Sequence, residues 1–242
     1  MKPVISVQDI KRLGTILGIW AHPDDETYSS GGIMAAAVLN GQKVICVTAT
    51  KGEAGVQDES RWPSNKLASI REKELQNVLK IFGIKHHHWL GYNDGGCADV
   101  AEDEAVNKIT ALLDKYQPDT ILTFGADGMT GHTDHKAVSR WAGLANKKSK
   151  TTAVIYHAIQ TEEQYVSMLE ADKELNVFFN IDMPQICKDC DCDICFNLGE
   201  DIFAQKVEAL RAMPSQTEPM LKMFSHVLPQ TVGIEAFKIY TE

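Results

Sequence analysis

Basic charge is scarce in this chain: 24 Lys and Arg stand against 33 Asp and Glu in 242 residues, a formal net charge of −9. Nucleic-acid binding needs clustered cations to neutralise phosphates, and the longest basic run is Lys147-Lys148-Ser149-Lys150, so no nucleic-acid partner is expected. No window approaches the roughly 18 apolar residues of a membrane span. The start, Met1-Lys2-Pro3-Val4-Ile5, lacks the basic beginning and apolar core of a signal peptide. A cytoplasmic protein with no membrane span is therefore expected. There is no Gly-x-Gly-x-x-Gly dinucleotide loop, no Ser nucleophile elbow, no repeat and no low-complexity linker. These absences favour one domain over the whole chain, 1–242, and the 44% hydrophobic content suffices for its core.

What is present is an alternation of strand and helix patterns. The apolar run Thr15 to Trp20 reads as a buried strand, Ile33 to Leu39 as a short buried helix stopped by Asn40-Gly41, and Lys43 to Thr50 as the next strand. A helix is expected from Ser64 to Phe82, ended by Gly83, because Leu67, Ile70, Leu75, Val78, Leu79 and Phe82 form one stripe. Strands follow at about His87–Leu90, Thr120–Phe124, Thr152–His157 and around Val177–Ile181, with helices at Asp103–Tyr116, Thr133–Ala145 and from about Asp201. Repeated β-α-β units imply an α/β, Rossmann-like, doubly wound and mostly parallel sheet with helices on both faces.

Two clusters carry the chemistry. Ala21-His22-Pro23-Asp24-Asp25-Glu26 follows the first strand, and Gly131-His132-Thr133-Asp134-His135 follows the fourth. With strands ordered 3-2-1-4-5, the first and fourth are neighbours where the winding reverses, so both loops open into one crevice. His22 and Asp25, with His132 or His135, supply three ligands and leave a fourth position for water, the pattern of a catalytic zinc site. An Asp at a strand-to-helix turn is also a common helix cap, and Asp134 alone is an ordinary first-turn carboxylate.

The paired clusters resemble the signature of the LmbE-like, or PIG-L, zinc-dependent N-deacetylases, with lesser likenesses at Thr50 to Gly55, at Arg71 with Glu74, at Gly91 to Gly95 and at Ser215-Gln216. The resemblance implies that His22, Asp25 and His135 hold one Zn²⁺, or another divalent ion such as Fe²⁺, and that Asp24 is the general base. It also implies that His132, steadied by Asp134, stabilises the oxyanion or protonates the leaving amine. The substrate it implies is a small acetylated amino sugar of N-acetylglucosamine type, or its glycoconjugate, and it leaves room for a homo-oligomer. Chemistry alone is consistent with hydrolysis, since Zn²⁺ lowers the pKa of water from about 15.7 to about 7. Alternatives are an amidase of the same site acting on a thiol conjugate, or a non-catalytic Rossmann-type nucleotide or anion binder using Gly31-Gly32. Against the binder, Asp24, Asp25 and Glu26 would repel a phosphate.

Glu53, Arg71, Tyr92 and Asp94 fall in or near loops after the second and third strands and are candidate substrate-binding residues, although Arg71 with a carboxylate could equally be a structural pair. His86-His87-His88 cannot converge on one ion, because consecutive strand residues point to opposite faces, so a sheet-edge position is expected. Cys187, Cys190, Cys192 and Cys195 form a Cys-rich insertion at about 186–196. They could make a second, non-catalytic metal site or a loop of reduced thiols, and local disulfides are disfavoured in a reducing compartment.

Overall fold

The computed structural model describes residues 4–175, 184–188, 191–223 and 231–240, with 170–175 described by backbone alone. In chain order the elements are α1 (Val7–Ile10), β1 (Ile16–Trp20), α2 (Asp25–Leu39), β2 (Val44–Thr50), α3 (Ser64–Phe82), β3 (His86–Tyr92), α4 (Glu102–Tyr116), β4 (Thr120–Phe124), α5 (Thr133–Lys148), β5 (Val154–Thr161), α6 (Glu162–Leu175), β6 (Ile186–Cys187), β7 (Ile194–Asn197), α7 (Gly199–Arg211), α8 (Pro214–Met223) and β8 (Ile234–Ile239). The sheet runs β3-β2-β1-β4-β5-β8-β7, with β6 paired to β5 beside it. Strands β3 to β5 pair in parallel, and β8 and β7 extend the sheet antiparallel. Every residue of β1, β2 and β4 is buried, as expected of central parallel strands covered on both faces. Helices α2, α3 and α7 pack together on one face, while α4 and α5 pack together on the other. Among the described residues no helix is long and apolar enough to cross a membrane.

The expected α/β architecture and the order of the first five strands are as observed. Helix α3 has the expected bounds, and Gly83 ends it in the left-handed conformation, at φ 72°. Helix α2 departs from expectation, starting at Asp25 rather than near Ile33. Gly31-Gly32 therefore lies inside a helix and cannot be a phosphate loop. A Cβ at Gly31 would stand 2.8 Å from the Phe82 ring, and one at Gly32 would strike Leu198, so these glycines let α3 and the start of α7 approach α2. The expected strand at Val177–Ile181 lies outside the described residues. The three histidines lie on the edge strand β3, where His87 Nε2 is 3.0 Å from Thr48 Oγ1 and His88 Nε2 is 2.8 Å from Tyr116 Oη.

Sequence reading missed the polar insertion that joins α2 to the C-terminal third. Lys206 of α7 and Glu235 of β8 are fully buried and paired at 2.7 Å. Lys206 donates to the Tyr28 carbonyl at 2.8 Å, and Glu235 accepts the Gly32 and Ile33 amides at 2.7 Å each. The pair thus satisfies backbone groups of α2 as well as each other. Removing one partner of such a pair leaves an uncompensated buried charge.

Two predictions follow from this packing. Glu235→Ala should cost about 3–5 kcal/mol, read from the urea midpoint at constant slope. His87 should make stability pH-dependent. Burial lowers its pKa to about 4, so between pH 6.5 and 4 the unfolded chain binds the proton and the folded chain does not. Its contribution is whole above pH 6.5 and is lost on acidification, by about 1 kcal/mol at pH 5.5. Urea unfolding of the native chain and of His87→Gln at pH 7.5 and 5.5 checks this, since the variant should lose that much less.

Candidate metal centre and active site

The loop after β1 makes a tight turn in which Asp24 has φ 127°, rare for a residue with a side chain. Its carbonyl accepts the Thr27 and Tyr28 amides at 2.9 Å each, so the strained residue starts α2. The Arg71 guanidinium steadies the turn, donating to the Pro23 carbonyl at 2.5 Å and the Gly52 carbonyl at 2.7 Å, with Asp24 Oδ2 at 3.3 Å. Gly52, at φ 66°, is required there because a Cβ would strike that guanidinium.

His22, Asp25 and His135 come together at the carboxyl ends of β1 and β4. His22 Nδ1 is 3.2 Å from His135 Nε2 and 3.5 Å from Asp25 Oδ2, and His135 Nε2 is 3.4 Å from Asp25 Oδ1. Zinc bonds of about 2.0–2.1 Å in a tetrahedron put neighbouring ligand atoms about 3.3–3.4 Å apart, which is close to the separation of the two nitrogens, while the Asp25 carboxylate spans the pair with a different oxygen toward each. The outer nitrogens are also held. His135 Nδ1 is 2.9 Å from the Gly128 carbonyl, and its ring stacks on Phe124 at 4.0 Å. His22 Nε2 is 2.9 Å from Asp94 Oδ1 and 3.3 Å from Asp134 Oδ2. Backing of both imidazoles by oxygen is what metal-ligating histidines require. His132 is close as well, forming with His22 and His135 a group whose nitrogens lie within 4.8 Å of one another.

Electrostatics follows from the crowding of acids. Burial pushes Asp24 up to about 7, opposed by Arg71 and reinforced by Asp25. Burial likewise takes Glu26 to about 7. Asp25 moves the other way, because His135 and His22 outweigh its burial. His22 is raised well above its ordinary value: burial opposes its charge, but hydrogen bonds to Asp134, Asp25 and Asp94 outweigh that. Burial lowers His135 to about 4 and also lowers His132, where the charge of His22 adds to the effect.

Several expected roles change. The Asp134 carboxylate accepts the Gly95 and Cys97 amides at 2.8 and 3.0 Å and faces His22, while it is the Asp134 backbone amide that donates to His132 Nδ1 at 3.1 Å. Asp94 lies against His22 and in turn accepts the Ala54 amide at 2.9 Å. Arg71 is 3% exposed and engaged with the Asp24 turn. Glu53 Oε1 accepts the Asp94 amide at 3.0 Å, which makes it a support of that loop. Tyr92 points toward α4, 3.4 Å from Glu104, with its ring 5.4 Å from Trp141. Glu74 accepts from the Ser215 amide and hydroxyl and so ties α3 to α8. Cys187 and Cys192 form a disulfide, contrary to expectation, and Cys190 lies outside the described residues. Those two sulfurs are consumed, so the four-thiolate site cannot form in this state. Among the described residues the groups able to hold a metal centre on His22.

A cavity of about 590 Å³ opens beside this centre, with Asp24, Asp25 and His135 at one end. Thr130 lines it too, its Oγ1 3.4 Å from His135 Nδ1.

A Rossmann-like sheet carrying a His/Asp centre at its topological switch point defines a class of α/β protein whose buried crevice has groups that could hold a metal. The family described as "PIG-L: GlcNAc-PI de-N-acetylase" matches residues 17–145, and the chain belongs to it. The chain is 28% identical over 170 residues to a 1D-myo-inositol 2-acetamido-2-deoxy-alpha-D-glucopyranoside deacetylase of Saccharomonospora viridis, covering 61% of this chain and 63% of that relative. It thus spans less than two thirds of that relative's length. It is also 28% identical over 210 residues to a probable N-acetyl-alpha-D-glucosaminyl L-malate deacetylase 2 of Bacillus cereus, covering 86% of both. The fold is shared with the N,N'-diacetylchitobiose deacetylase of Pyrococcus horikoshii, at TM-score 0.65 and 23% identity over 97% of this chain and 87% of that one.

The backing of His22 is directly testable. Asp94→Asn should weaken zinc binding about 10–100-fold without unfolding the protein, measured by competition with a chelator. Unchanged affinity would show that this carboxylate does not hold the ligand.

Proposed function

We propose that the protein is a zinc-dependent hydrolase that removes acetyl from an N-acetylated amino sugar of N-acetylglucosamine type, or from its conjugate, acting as a single domain in the cytoplasm. The observation that carries this reading is the convergence of His22 Nδ1, Asp25 and His135 Nε2 beside a cavity that Asp24, Asp25 and His135 line together. Membership of the PIG-L family supports it. The three residues would hold the ion, which when bound supplies Lewis acidity and an ionisable water at neutral pH.

The chain's own groups do the rest. Asp24, held near neutrality by burial and beside the ligand Asp25, takes a proton from the attacking water. His132 accepts the Asp134 amide at Nδ1, so its neutral ring carries the proton on Nε2. Its lowered pKa keeps it neutral, and it serves as a hydrogen-bond donor to the oxyanion or the leaving amine. Asp24 passes that proton to the leaving nitrogen as the C–N bond breaks, so the products are acetate and the free amine. Asp94 and Asp134 act through His22, and Arg71 acts through Asp24.

Incubation of the zinc-loaded protein with several N-acetylglucosaminides should release primary amine, and no product from any of them would overturn the proposal. Asp24→Asn should keep one equivalent of zinc and lose about 10²–10⁴-fold in kcat, whereas His22→Ala or Asp25→Ala should lose the metal. An Asp24→Asn protein without zinc would exchange the roles of the two carboxylates. An amidase acting on a thiol conjugate would use the same residues and show itself by its substrate.

A further inference from the structure

The cavity contains a polar group that the hydrolytic machinery does not use. Gln160, at the end of β5, lines the cavity and is only 4% exposed. Its side-chain amide contacts the Met168 sulfur at 3.4 Å through Nε2, while Oε1 has no hydrogen-bond partner among the described residues. A buried acceptor without a donor is costly, and native structures seldom keep one without reason. Adjacent groups offer no relief. Thr161 and Gln164 cap each other across the start of α6, and Gln164 Nε2 donates to the Ile234 carbonyl at 2.7 Å.

Most of the cavity surface is apolar and adaptable, with Met129, Met168, Met220, Phe124 and Val232 set among uncharged polar residues such as Gln57, Gln164, Gln216 and Thr231. Unbranched, polarisable Met side chains fit irregular or aromatic surfaces. Asp24 and Asp25 are the only carboxylates among the described lining residues, and no Lys or Arg is among them. Beyond the metal centre, a carboxylate or phosphate placed there would find no Lys or Arg among the described lining residues to pair with.

We infer that this cavity receives the part of the substrate beyond the acetamido group, that this part is uncharged and largely apolar, and that the Gln160 amide turns into the cavity on binding so that a substrate hydroxyl donates to its now-buried Oε1. Gln160 is then a specificity-determining residue, and the chain selects neutral glycosides over acidic ones. The inference rests on the deacetylase reading only in placing the acetamido group beside Asp24.

The test uses ligands that cannot be deacetylated, so binding is read independently of turnover. Phenyl β-D-glucopyranoside and its 4-carboxyphenyl analogue are titrated calorimetrically into the zinc-loaded protein. The neutral glycoside should bind at least about tenfold more tightly, and Gln160→Met should weaken it about fivefold to tenfold. Met168→Lys should raise affinity for the carboxyphenyl glycoside, a gain that misfolding cannot produce. Equal affinities, no binding of the phenyl glycoside, or undiminished binding by Gln160→Met would overturn the inference. Release of amine from acetylated glycosides alongside equal affinities would leave the hydrolase standing without it. The expected binding pattern with no amine released would leave the cavity assignment standing without the hydrolase.

Discussion

Asp24, Asp25, Glu26, Asp94 and Asp134 are gathered in one largely buried volume, and this excess of acid is the constraint on which the site depends. Buried charge persists only when paired, hydrogen-bonded or neutralised. Each acid has a different remedy here. Asp24 faces Arg71, Glu26 takes the Asp24 amide and the Thr27 hydroxyl, and Asp134 takes two amides from the loop after β3. Asp25, Asp94 and Asp134 converge on His22, whose raised pKa marks how much positive charge the centre demands. A divalent cation fits the same demand, and its arrival would displace the proton of His22.

That constraint explains why four loops are rigidly joined. The β1 loop brings His22 to Glu26, the β2 loop brings Gly52 and Glu53, the β3 loop brings Asp94 and the Gly95 and Cys97 amides, and the β4 loop brings His132 to His135. None can move without exposing an unpaired partner on another. The cavity on the far side has the opposite character, with thioether walls and one idle amide oxygen. Fixed polar geometry at the centre and adaptable apolar packing beyond it suit a site that performs one reaction on a particular class of substrate.

The centre was legible in sequence because its parts lie in two short segments, each after a buried strand, and the topology rule makes those strands neighbours. The roles of Asp94 and Arg71 were not legible, since what a loop carboxylate or helix cation faces is decided by contacts 72 and 48 residues away. The early start of α2 was hidden by Ser29-Ser30-Gly31-Gly32, poor helix formers whose small size is what lets Phe82 and Leu198 pack there. The chance of a local disulfide was set aside on a compartment argument that carries no information about proximity. Gln160 could not be singled out, because an unpartnered acceptor is a property of surroundings and not of residue type.

The stitch of Lys206 and Glu235 into α2 has a consequence for how the molecule comes into being on the ribosome. The family segment ends at residue 145, yet the Gly32 and Ile33 amides of the helix that begins at Asp25 wait for a carboxylate 203 and 202 residues further on. Such distant closures come late, because chain entropy must be overcome before the contact repays it. Until Glu235 is synthesised, the Gly32 and Ile33 amides lack that carboxylate, so β8, late in the described chain, supplies partners to a helix near its beginning.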